Sequence, residues 1–468
     1  MSEAVPVFPP GEAPGTITPS LHQGLLSMSL SRVVLTVALP AAVTMLLNLM
    51  FSLVDGFWIG KLGAGPMAAV SAAGIVTWVL YSLGSLGSVG VQAFVSQATG
   101  AGKADLAREA VAAGILLHLI LAAAVLIPLY VLQKPMFLLM GLEPSVAGQA
   151  ADYLGFFLLG MGVYYPAMVA MASFQAVGDT RTPALVLGVS LGLNAVLDPF
   201  MILGWGPFEP MGALGAGLAT MLAKLLFALV VLVLLKRRGL LDLHSFRTPG
   251  MLSRMGQVAR IGYPIALNGV FFASVYLVLI RILAPFGTVP VAVLGISHRI
   301  EGLAWFTCVG FSIAAAALAG QNFGAGRPQQ AVRSVWRLTG VLSAFLAVVS
   351  VLFMTLGGPM IEVFIDDPAV VAEGARYLLA IGVFEVLLGF EVVFEESLGA
   401  VGASRMALLI AAPLSLARIP LGYLFAIHWG MGVTAVWWVI TVTTAAKGLL
   451  LAWGFTRGRW RFGKSLAS

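Results

Sequence analysis

The chain is built from long apolar stretches separated by short breaks rich in glycine, proline and charge. From residue 32 the stretches fall at 34–60, 68–97, 109–132, 146–173, 181–204, 213–235, 258–283, 292–321, 332–357, 369–399, 405–428 and 431–456. A helix needs about 20 apolar residues to cross a bilayer, so each stretch predicts one spanning helix. Only helices and closed barrels satisfy their backbone polar groups in lipid, and the runs lack the alternation of barrel strands. The predicted fold is all-α and polytopic, with twelve transmembrane helices.

Composition agrees with that pattern. Of 468 residues, 60% are hydrophobic and 10% charged, against about 25% charged in soluble domains, which excludes a water-soluble globular protein. The net charge of +6 does not point to nucleic acid, because its carriers sit in one set of loops. Lys103, Arg108, Arg181, Lys236, Arg237, Arg238, Arg247, Arg254, Arg327, Arg333, Arg337 and Arg405 share the side of the two termini. The opposite loops offer little beyond Lys61 and Lys134, and the positive-inside rule therefore predicts cytoplasmic termini in an inner (plasma) membrane. Residues 1–31 carry Pro6, Pro9, Pro10, Pro14 and Pro19 with no basic segment before an apolar one, and read as a flexible cytoplasmic tail rather than a signal peptide. Cys308 is the single cysteine, inside an apolar run, and reads as a small hydrophobe. The histidines form no metal-hydrolase motif, and no nucleophile with a base stands out in the membrane, so an enzyme is not expected.

The chain repeats itself. A single ungapped shift of 224 residues places Pro40 on Pro264, Gly63 on Gly287, Gln97 on Gln321, Gly100 on Gly324, Lys103 on Arg327, Gly178 on Gly402, Arg181 on Arg405 and Thr220 on Thr444. Each half holds six spans, so the halves enter the membrane in the same direction and form two pseudo-symmetric six-helix lobes. The boundaries expected are a first lobe at 32–235, a cytoplasmic connection at 236–257, a second lobe at 258–456 and a basic tail at 457–468. Parallel repeats of this kind form transporters whose substrate site lies between the halves.

Ionisable groups inside the spans are costly and are functional candidates by default. Asp55 in the first span and Asp198 in the fifth lie at matching depth, each about one and a half turns from the outer end. Asn194 is one turn from Asp198 on the same face, Thr220 enters at similar depth on the sixth span, and Asn48 lies two turns from Asp55. Two acids sharing such a site suit proton uptake and release, and the same oxygens could hold Na+. The second lobe does not copy the set: the shift turns Asp55 into Leu279, Asn194 into Arg418 and Asp198 into Gly422. It carries Glu385, Glu391, Glu395 and Glu396 on the tenth span instead, with Arg418 as the expected counter-ion. Lys224 and Lys447 are expected to snorkel or to pair, and Arg299 and Glu301 to form an interfacial pair. Tyr81, Tyr164, Tyr165 and the methionines suit either an aromatic cavity or ordinary packing.

Several spaced motifs resemble those of the multidrug and toxic compound extrusion (MATE) family, prokaryotic branch. They are LVDGFWIGKLGAGPMAAV (53–70), AVGDTRTP (176–183), NAVLDP (194–199), AGQNFGAGRPQQA (319–331) and ARIPLGY (417–423), and the likeness covers residues 32–456. The resemblance implies secondary active efflux by alternating access, exporting toxic organic compounds, chiefly cationic drugs, in exchange for H+ or Na+. It implies no cofactor, a monomer in membrane lipid, and no nucleic-acid partner. It assigns ion coupling to Asp55, Asn194 and Asp198, more loosely to Thr220, and helix bending to Pro40. Asn48, Tyr164, Glu391, Glu395 and Arg418 are the substrate-cavity candidates. Some relatives use a second-lobe site with an acid on the seventh span, and here that stretch reads NGVFFAS (268–274) without one. The alternative reading is a lipid-linked precursor flippase or specific metabolite exporter of the same superfamily.

Overall fold

The computed structural model describes residues 24–467, and all regular structure among them is helical. The spans are α1 (Leu30–Gly60), α2 (Ala64–Gly100), α3 (Ala104–Leu139), α4 (Pro144–Ala176), α5 (Arg181–Leu203), α6 (Ala213–Arg237), α7 (Met251–Leu283), α8 (Thr288–Gly324), α9 (Pro328–Glu362), α10 (Pro368–Gly382 and Glu385–Ala400), α11 (Ser404–His428) and α12 (Val433–Arg457). Eleven are long and apolar enough to cross a membrane alone, and α10 makes the twelfth as a pair bent by 56°. The apolar pattern predicted one unbroken tenth span; the break falls at Val383 and Phe384, where the helical bonds lapse. Ser350 on α9 donates its hydroxyl to the freed Gly382 carbonyl, so the exposed helix end is satisfied from a neighbour.

Most helices overrun their apolar stretches by several residues, because polar residues at either end still complete the backbone ladder. One such extension bears on the stretch expected to join the lobes, 236–257. Lys236 and Arg237 end α6, Leu243–Arg247 forms a single 3-10 turn, and α7 already begins at Met251. Of the expected tails, residues 1–23 and Ser468 lie outside the described residues. Leu25 is buried against Gly178, and Leu466 packs on Gly402. Those two glycines are equivalent under the 224-residue shift, so the two ends of the described chain cover matching turns of opposite lobes. Leu25 belongs to a core cluster of the second lobe, and Leu466 packs against that of the first.

Within the first lobe, α4 packs on α2, α3 and α6, and α1 on α5; in the second, α10 packs on α8, α9 and α12, and α7 on α11. The lobes meet where α2 packs on α7 and α8, and α1 packs on α8. The shift exchanges the α1–α8 contact with the α7–α2 contact, so the interface carries the pseudo-two-fold relation of the chain. Close packing reaches the end bearing the α2–α3 and α8–α9 turns. Both turns close with glycine in the left-handed region, Gly102 at φ 71° and Gly326 at φ 73°. Six-residue return bonds accompany them, Lys103 N–H to Ala98 (2.9 Å) and Arg327 N–H to Asn322 (2.8 Å). Just before the turns, the helices touch backbone to backbone. A Cβ at Gly100 would lie 1.9 Å from the Gln321 carbonyl oxygen, and one at Gly324 would lie 2.0 Å from that of Gln97.

Pro40 stands two residues after the end of a π-helical turn, Val34–Ala38. Proline has no N–H to offer the carbonyl one turn back. The Thr180 hydroxyl approaches from the α4–α5 turn and donates to the Val37 carbonyl at 2.7 Å and the Thr36 carbonyl at 3.4 Å. The irregularity of α1 therefore begins with its own sequence and is held in place by another helix pair.

Candidate functional site

In the first lobe, helices α1, α5 and α6 bring together the four residues read as ion-coupling candidates. Thr220 donates to Asp55 Oδ2 at 3.3 Å, and Asn194 Nδ2 donates to Asp198 Oδ1 at 3.2 Å. The Asp55 carboxyl is a near neighbour of both Asp198 and Asn194. Asp55 is 7% exposed, and Asn194 and Asp198 are fully buried. Three oxygens of this cluster, Asp55 Oδ1, Asn194 Oδ1 and Asp198 Oδ2, are buried with no hydrogen-bond partner among the described residues. A buried polar atom left unpaired costs about 1–3 kcal/mol. Two neighbouring carboxyl groups can share a hydrogen bond only when one carries a proton, and unpaired carbonyl and carboxyl oxygens are also what a hard cation takes as ligands. The cluster therefore fits a proton or Na+, and the transported ion would be a substrate here rather than a resident cofactor.

One turn further along α6, Lys224 does not snorkel. It is 8% exposed, donates to the Tyr81 hydroxyl at 2.5 Å, and stands over the rings of Tyr164 (4.3 Å), Phe157 (4.9 Å) and Tyr81 (5.0 Å). Tyr164 is thus one wall of an aromatic box, already filled by a lysine. Asn48 spends its amide on the Thr44 carbonyl of its own helix (3.0 Å) and does not join the acid cluster.

The second lobe is arranged differently from the expectation. Glu391 pairs with Lys447, which also donates to Ser415, so lysine and not Arg418 is the counter-ion. Arg418 is buried among hydroxyls: its Nε donates to Thr443 (2.8 Å) and a terminal nitrogen to Thr444 (2.6 Å). It forms no ion pair among the described residues. Glu395 accepts from Asn268 on α7 (2.7 Å), and Glu301 accepts from Tyr377 (3.2 Å) rather than pairing with Arg299. These departures share a cause: the helices are apolar nearly all round, so hydropathy does not say which way a charged side chain turns. At the places equivalent to Asp55 and Asp198, a methyl of Leu279 lies 3.5 Å from where a Cβ of Gly422 would be. The second lobe has an apolar contact where the first has two acids, and a fixed cation, Arg418, where the first has Asn194. Glu385 is buried with both oxygens unpartnered among the described residues, in a cavity shared with Glu301, Thr441 and Thr444.

The MatE family profile matches residues 40–200 and again 264–424, one match per lobe. The chain belongs to the MatE family. The two matched ranges are themselves separated by 224 residues, the shift found from the residues alone. Among curated MatE-like proteins, the chain is 28% identical over 405 residues to a FAD transporter of Shewanella oneidensis, covering 86% of this chain and 90% of that one. It is 27% identical to a probable multidrug resistance protein NorM of Thermotoga maritima, covering 90% and 91%. A solved structure described as the outward-facing conformation of a multidrug resistance MATE family transporter matches with a TM-score of 0.86 at 21% identity, covering 96% of this chain and all of that one. The MatE protein is thus a multi-pass helical membrane protein with the fold of these transporters, and its relatives are transporters rather than enzymes.

Proposed function

We propose that this MatE protein is an antiporter that exports organic cations from the cytoplasm in exchange for H+ or Na+, with its first lobe as the ion-coupling lobe and both termini cytoplasmic in the inner membrane. The observation that carries the reading is the buried cluster of Asp55, Asn194, Asp198 and Thr220 with its three unpartnered oxygens, found in one lobe only. A site of that kind changes its charge by one when it gains or loses its ion, and such a change biases two packings of the lobe. Pro40 and the π-helical turn beside it give α1 a place to bend in response. The organic cation then leaves between the lobes as they rock about the interface of α1, α2, α7 and α8.

The test is dye efflux from reconstituted vesicles, with a pH gradient and a Na+ gradient imposed separately. Efflux that follows one gradient and disappears in Asp55→Asn supports the reading and names the ion. A second reading, export of an anionic dinucleotide, is favoured by Arg418, a buried cation with hydroxyl rather than carboxylate partners. FAD uptake into inverted vesicles, absent for dye, would put that reading first.

A further inference from the structure

The lysine in the aromatic box has no place in the proposed coupling site, yet its surroundings are those of a ligand pocket. Three aromatic faces around one ammonium form the usual recognition site for alkylammonium groups. Here Tyr81, Phe157 and Tyr164 supply the faces, and Tyr81 is 37% exposed, so the box has an open side. Its occupant is tethered: Lys224 sits on the same helix as Thr220, one turn away, and Thr220 touches Asp55. Lys224 forms no ion pair among the described residues, although Asp55 lies within electrostatic range. The four-carbon stem of Lys224 is flexible and readily changes rotamer. The other charged or titratable groups facing Asp55 and Lys224 are Asp198 on α5, Tyr81 on α2, and Tyr153 and Tyr164 on α4.

We infer that the box is the subsite for the ammonium group of the exported compound, and that Lys224 is a tethered competitor whose displacement toward Asp55 links substrate loading to proton release. The inference rests on the proton-exchange form of the reading above. Positive charge is conserved through the cycle. When the substrate ammonium enters the box, the Lys224 ammonium moves beside Asp55, and the proton held between Asp55 and Asp198 leaves to water. When a proton returns from the other side, Lys224 goes back to the box and expels the substrate. Lys224 is thus a positioning and specificity residue, and the contest between two ammonium groups for one box is the coupling step.

The experiment follows binding of ethidium, a quaternary cation, to the purified protein in detergent by fluorescence anisotropy across about pH 6–8. For the wild type, affinity should rise with pH, approaching about tenfold per pH unit if one proton leaves for each cation bound. Lys224→Met should bind ethidium more tightly at the low-pH end and lose most of that slope, while Lys224→Arg should keep it. An unchanged slope in Lys224→Met overturns the inference and leaves the export reading standing. Failure of the wild type to bind ethidium, with the protein monodisperse, removes the organic-cation reading itself. If Lys224→Met does not fold, the box is tested from its walls: Tyr164→Phe should keep the affinity, and Tyr164→Leu should lower it about three- to tenfold. Equal affinities for those two variants overturn the assignment of the box.

Discussion

Gln97 and Gln321 make the same hydrogen bond on opposite sides of the lobe interface. Gln97 Nε2 donates to the Ala400 carbonyl at 2.7 Å, and Gln321 Nε2 donates to the Ala176 carbonyl at 2.8 Å. Both acceptors end a helix, α10 and α4, whose last carbonyls lack partners of their own. Each glutamine therefore caps a helix in the other lobe. The symmetry stops at the other amide atom: Gln97 Oε1 also accepts from Leu466 N–H (2.8 Å) and the Ser465 hydroxyl (3.0 Å).

That asymmetry has a measurable outcome. Gln97→Ala should destabilise the protein by about 1–3 kcal/mol, and by more than Gln321→Ala, because it also releases residues 465 and 466. Thermal unfolding of both variants in the same detergent checks the order.

Asp55→Asn and Asp198→Asn should each bring dye efflux to the level of empty vesicles while the protein stays monodisperse on gel filtration. The two acids belong to one buried cluster, so they act as one unit, and the double variant should lose no more than either single one. Additive partial losses would separate them.

Glu391 and Lys447 form a buried ion pair, and its halves are costly alone. Glu391→Ala should cost about 3–5 kcal/mol by stranding the ammonium, whereas changing both residues to methionine should come close to neutral. Unfolding curves of the single and double variants decide this.

Gly310 on α8 packs against the backbone of Ala42 on α1, so closely that an added Cβ would lie 2.3 Å from the Ala42 nitrogen. Gly310→Ala should push α1 from α8. Cys308, the only cysteine in the chain and fully buried two residues away, reports the change. Its labelling by a maleimide should be negligible in the wild type and rise at least about tenfold in the variant, by the loss of close packing around it.

The twelve spans, the internal repeat and the first-lobe cluster were legible in the residues because each rests on position along the chain. Asp55, Asn194, Asp198 and Thr220 could be placed at one depth by counting turns from the breaks, and depth suffices when helices of one lobe pack together. Direction around a helix was not legible in the same way. Arg418 turns to the α12 threonines and Lys447 to Glu391, and nothing in their all-apolar helices marks one face over another. Lys224 was visible as a charge in the membrane, but its box draws Tyr81, Phe157 and Tyr164 from two other helices and exists only in the packed lobe. The break in α10 follows Gly382, a weak helix former that the apolar pattern passes over, and Ser350, on another helix, satisfies the freed carbonyl there.

The placement of Leu25 on Gly178 and of Leu466 on Gly402 matters for anyone handling the protein. Ala467 is itself buried, and the Lys103 ammonium donates to its carbonyl. A bulkier or charged side chain in place of Leu25 or Leu466 would act as a wedge where the two lobes meet. The exposed residues Pro249 and Gly250, in the connection from α6 to α7, offer an attachment point for a purification tag away from that contact.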